Sequence, residues 1–71
     1  MPVSTSHTFP DVLIITRRDG GWVCDINRTP VWIGELQVEP GTMMPAEGTR
    51  GPVTIAGFAV DNVTRQLRGI F

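Results

Sequence analysis

The side chains able to do chemistry in this 71-residue chain are few and scattered. His7 is the one histidine, and no nucleophile is held near it in sequence, whereas general-base catalysis needs a partner within hydrogen-bond reach. It reads as a solvated residue. Cys24, the one cysteine, alternates with Trp22 and Ile26 on an apolar face and reads as a small buried hydrophobe rather than a nucleophile. One cysteine and one histidine make neither an intrachain disulfide nor an ordinary closed zinc site.

The carboxylates Asp11, Asp19, Asp25, Glu35, Glu39, Glu47 and Asp61 are dispersed. Glu35 and Glu39 on one strand face would stand about 13 Å apart at the strand rise, too far for an ordinary catalytic pair. The run Gly48-Thr49-Arg50-Gly51 offers backbone donors and a guanidinium to an anion, but it lacks the lysine and the following helix of a phosphate loop. The expectation is therefore a non-enzyme with no catalytic residue, no metal and no cofactor.

All six basic residues are arginines, and the formal net charge is −1, so there is no global attraction to nucleic acid or to an anionic membrane. A nucleic-acid-binding regulator would have to use Arg17 or Arg18 with Arg65 and Arg68, repeated around an oligomer axis. Trp22 and Trp32 read as core residues rather than base-stacking platforms, which makes this the lesser reading. The third is a small enzyme whose pocket forms only at a symmetry axis.

The elements that would position these groups are mostly strands. Residues 1–10 are rich in Ser, Thr and Pro and read as a flexible arm, leaving 11–71 as one small domain. Val12 to Thr16 have strand composition, and Asp19-Gly20-Gly21 stops them with a hairpin turn. Trp22, Cys24 and Ile26 alternate with Val23, Asp25 and Asn27, residues Asn27 to Pro30 supply a turn, and a third strand follows until Pro40 ends it. The predicted buried face carries Trp22, Cys24, Ile26, Trp32, Leu36 and Val38. Residues 40–52 then form a long Gly/Pro loop that exposes Met43 and Met44 and carries Thr49 and Arg50. A fourth strand is predicted over 53–60, with Gly57 at a bulge or at a close approach of another backbone. Asp61 N-caps a short helical turn bearing Val63 and Leu67, and Gly69 stops it. Ile70 and Phe71 are expected to dock as a final short strand.

This pattern predicts a mostly β fold: a four- to five-stranded bent sheet or SH3-like open barrel with a short C-terminal helical turn. Leu13-Ile14-Ile15-Thr16-Arg17-Arg18 looks like the opening strand of the carbon-storage-regulator RNA-binding proteins, and Gly51-Pro52-Val53-Thr54-Ile55 resembles the active-site strand of type II dihydrofolate reductases. The first match covers six residues and lacks the glycine-rich pattern that should follow. In the second, Thr54 and Ala56 stand where that family places its functional Gln and Tyr, so no activity carries over.

At this length apolar burial barely offsets chain entropy, and with no disulfide or metal the remaining staple is a partner chain. A charged fraction of 18% also favours a homo-oligomer. The functional expectation is a homo-oligomeric binding or accessory module that engages an unknown protein or small ligand through Met43, Met44, Thr49 and Arg50. No stretch approaches about 18 consecutive apolar residues, so no membrane is expected, and with no signal-like N-terminus a cytoplasmic location is the default.

Overall fold

Two two-residue turns organise the sheet. In the computed structural model, which describes residues 5–69, Asp19 and Gly20 both adopt positive φ (53° and 74°), as do Asn27 (53°) and Arg28 (65°). This is the backbone twist that lets adjacent antiparallel strands close on two residues. Strands β1 (His7–Arg18), β2 (Gly21–Ile26) and β3 (Thr29–Gly34) follow as a meander, then a 3₁₀ turn (Glu35–Gln37), β4 (Arg50–Ile55) and helix α1 (Gly57–Leu67). All pairings are antiparallel, in the order β3-β2-β1-β4. Among the described residues the fold is thus mostly β, one open sheet of four strands with a single α-helix. Strand β1 begins at His7, inside the segment set apart as an arm. Ile70 and Phe71, expected to form a last strand, lie outside the described residues.

Each element contributes two buried residues: Val12 and Ile14 from β1, Cys24 and Ile26 from β2, Val31 and Ile33 from β3, Val53 and Ile55 from β4, and Ala59 and Val63 from α1. Register explains the set. Residues directly opposite in a sheet share a face, and Cys24 stands opposite both Ile14 and Val31, while Ile26 stands opposite Val12. The predicted face of the third strand is therefore inverted. Closing the turn on Asn27-Arg28 pairs Ile26 with Thr29, which sends Val31 and Ile33 inward and leaves Trp32 partly exposed. The strand also ends at Gly34, so Leu36 falls in the 3₁₀ turn and is exposed rather than buried.

The C-terminal part differs as well. The fourth strand covers 50–55 instead of 53–60, and the helix starts at Gly57 with Ala56, not Asp61, as N-cap. Phe58, placed by alternation on a strand, lies in the first helical turn and is exposed. Gly57 is not a bulge; the register shifts occur in β1, between Phe9 and Val12 and between Ile14 and Thr16. The helix does end as read from the sequence, with Gly69 at φ 74° donating its N–H to the Gln66 carbonyl.

The outer edge of β3 is sealed by side chains. A two-residue hairpin makes Ile26 and Thr29 the hydrogen-bonded closing pair, and alternation then turns the polar backbone of Pro30, Trp32 and Gly34 away from β2. Pro30 has no N–H to satisfy. Gln66 of α1 treats Trp32 as a neighbouring strand would: its Oε1 accepts the Trp32 N–H at 2.9 Å and its Nε2 donates to the Trp32 carbonyl at 3.1 Å. Gln37 Oε1 accepts the Gly34 N–H at 3.0 Å. On the opposite edge, the chain after the 3₁₀ turn lies along β4, with Glu39 N–H donating to the Thr54 carbonyl and Ala56 N–H to the Gln37 carbonyl. Among the described residues no helix is long and apolar enough to cross a membrane.

Two stability predictions follow from this backbone. Left-handed φ costs a side-chain-bearing residue other than Asn or Asp about 1–2 kcal/mol, so Arg28→Gly, offset by glycine's chain entropy, is expected to raise stability by up to about 1 kcal/mol in urea unfolding. Gln66→Ala removes two hydrogen bonds at a partly wetted edge and is expected to cost about 1–2 kcal/mol, with loss of hydrogen-exchange protection at the Trp32 amide as its local signature.

Candidate functional site

The inverted third strand creates a feature that the expected face would have hidden. The Trp32 indole folds back over a floor of two glycines: a Cβ on Gly21 would lie 2.7 Å from its Cζ2, and one on Gly34 would lie 3.0 Å from its Cη2. Its Nε1 donates to the Arg18 carbonyl at 3.1 Å, so the ring is fixed at its polar end as well as through its backbone. Beside it, the Glu35 N–H donates to the Gly20 carbonyl at 3.0 Å, which locks the 3₁₀ turn against the first hairpin. That turn holds Leu36 outward at 88% exposure, and the first turn of α1 holds Phe58 at 72%. Trp32, Leu36 and Phe58, from three different elements, thus line an open groove of about 330 Å³ together with Gly20, Gly34, Glu35 and Gln37.

The volume is at the small end of ligand-binding clefts, which run from about 300 to 1,000 Å³. The electrostatics at the rim are balanced. The Arg17 guanidinium stacks over Trp22 at 4.7 Å and pairs with Glu35 at 2.7 Å, while the Arg17 N–H donates to Glu47 Oε2 at 2.9 Å. The bulge between Ile14 and Thr16 brings Arg17 to the Trp22 side of the sheet.

The residues picked out in the sequence are not gathered there. Met43 is 86% exposed, but Met44 packs against the core. Thr49 serves the loop itself, with its hydroxyl donating to the Ala46 carbonyl at 2.6 Å, and Arg50 lies 3.5 Å from Asp11. The loop is pinned to β1, where the Gly48 N–H donates to the Ile14 carbonyl and the Ile14 N–H donates to the Thr49 carbonyl. Arg18 lies 3.8 Å from Asp19, and Arg65 lies 3.3 Å from Asp61 one helical turn earlier. Arg68 is the C-cap of α1. Four of these arginines, Arg17, Arg18, Arg50 and Arg65, each stand beside a carboxylate. Among the described residues no three His, Cys, Asp or Glu side chains gather to hold a metal ion.

Trp32, Leu36 and Phe58 were assigned to buried or alternating strand faces by sequence, and so were missed as surface groups. The missed signal was Asn27-Arg28: read as a complete two-residue turn, it fixes the parity of everything to Gly34. No family model, no curated protein and no solved structure matches the chain.

Cys24 is fully buried, and that burial pushes its thiol up to about 11. The thiolate is the reactive form, so alkylation of the folded protein at pH 8 is expected to be slow and limited by opening. The chain has neither lysine nor tyrosine, so Cys24 is the one side chain titrating between pH 9 and 11. The unfolded thiol ionises near its usual value while the folded one stays neutral, so its contribution is fully present below about pH 9 and lost as pH rises towards 11. Urea unfolding is expected to show a loss of about 2 kcal/mol over that window, absent in Cys24→Ala.

Proposed function

We propose that this protein is a non-enzymatic binding module whose contact surface is the Trp32–Leu36–Phe58 groove. The observation that supports the reading is the convergence of three exposed large apolar side chains from β3, the 3₁₀ turn and α1 on one cleft. Water-exposed apolar groups of this size gain about 1.5–3 kcal/mol each when covered, so Leu36 and Phe58 together offer about 3–6 kcal/mol before the costs of association. Micromolar affinity corresponds to about 8 kcal/mol, so the groove by itself suits a weak, exchangeable contact. The module class is the one expected from the sequence, with its surface moved from the 40–52 loop to the groove. Met43, exposed beyond the pinned part of that loop, supports a secondary contact there.

The test is the binding of an apolar fluorescent dye to the full chain, followed by amide shifts. The expected result is a saturable signal with shifts at Gly34, Leu36 and Phe58. The double variant Leu36→Asp/Phe58→Asp should weaken it at least tenfold while its circular dichroism and urea midpoint stay near those of the parent. Equal binding by the folded double variant would sink the reading.

A further inference from the structure

We infer that the occupant of the groove is an amphipathic helix of a partner protein, presenting two bulky apolar side chains one turn apart. This rests on the binding reading above and names the partner's chemistry. Extended segments bind proteins by adding a strand to an open sheet edge, through main-chain hydrogen bonds. Next to this groove that route finds no free β3 donor, because both outward polar groups of Trp32 are taken by Gln66, the Gly34 N–H by Gln37, and Pro30 brings none. On the other side of the sheet, residues 37–39 take the Thr54–Ala56 end of the β4 edge. Polyproline segments leave their carbonyls unpaired and dock on aromatic grooves that offer donors. Here the indole N–H is spent on the Arg18 carbonyl.

A helix needs neither service, since its backbone hydrogen bonds are internal, and it binds through side chains at i and i+3 or i+4. The groove matches that demand: the apolar side chains of Trp32, Leu36 and Phe58 stand around it, and it offers about 330 Å³ of space for bulky side chains. A second copy of this chain is the poorer fit. The exposed parts of Trp32, Leu36 and Phe58 amount to an area on the order of 400 Å². A twofold contact through them would bury on the order of 800 Å², short of the roughly 1,200 Å² at which stable complexes begin. A single helix laid in the cleft buries a similar area, which suits the weak, exchangeable contact proposed above rather than a permanent dimer.

The experiment is a display selection on the full-length protein with two peptide libraries, one helix-templated with apolar residues at varied spacing and one unconstrained and including proline-rich sequences. Leu36→Asp/Phe58→Asp serves as the counter-target. Enriched peptides are expected to carry two bulky apolar residues three or four positions apart, to gain helical circular dichroism on binding, to shift the Leu36 and Phe58 amides, and to bind the double variant at least tenfold more weakly. Enrichment of alternating or proline-rich peptides that shift the same amides would overturn the helix inference and leave the binding groove standing. Sedimentation of the peptide-free protein as a dimer that Leu36→Asp/Phe58→Asp dissociates would assign the groove to a second copy and also overturn it. No enrichment over the counter-target would overturn both.

Discussion

The structure hangs on one short closure, the pairing of Ile26 with Thr29 across Asn27 and Arg28. Side chains alternate strictly along a strand, so this pairing alone decides which residues of β3 enter the core. It puts Val31 and Ile33 against Cys24 and Trp22, and it sends Trp32 to the opposite face, over Gly21 and Gly34. The same pairing turns the Trp32 backbone outward, where the Gln66 amide meets it. The core, the sealed edge and the groove therefore share one origin. That origin includes an arginine held in a left-handed conformation, at an energetic cost the rest of the fold has to offset.

A sheet of four strands is left with two edges, and among the described residues this chain covers part of each from its own length. The 3₁₀ turn carries the backbone from the β3 edge round to the β4 edge, where residues 37–39 supply main-chain partners. Gln66 and Gln37 do with side-chain amides what another strand would do with peptide groups. Self-sealing of this kind reduces the need for a partner to complete the sheet, which is the need that the chain's small size had suggested. What it leaves uncovered is apolar side-chain surface rather than backbone.

Much of the fold was legible where local chemistry and long-range pairing agree. The Asp19-Gly20 turn, the second strand and the later part of the first, the burial of Cys24 and Ile26 and the Gly69 stop all follow from residue type and period. Legibility failed where two patterns were each locally consistent. Trp32, Leu36 and Val38 do alternate, but so do Val31 and Ile33, and only the turn length chooses between them. Val53 to Val60 reads as one β-branched and apolar run, yet it is a strand to Ile55 and a helix from Gly57. Val60, Val63 and Leu67 sit at helical spacing there and pack on the core, a tertiary gain that outweighs local strand preference. The groove was illegible for the same reason, since its three walls come from the three places where parity or element type was misread.

The two tryptophans stand in unlike surroundings, and no tyrosine accompanies them. Trp22 is half-buried beneath a guanidinium, while Trp32 forms a wall of the groove with its N–H held by a carbonyl. The molecule thus carries its own optical gauge: light emitted from Trp32 depends on how much water touches the cleft, and that from Trp22 depends on whether the end of the sheet stays closed. Occupancy and unfolding thus both register in the tryptophan emission of a single, unlabelled chain.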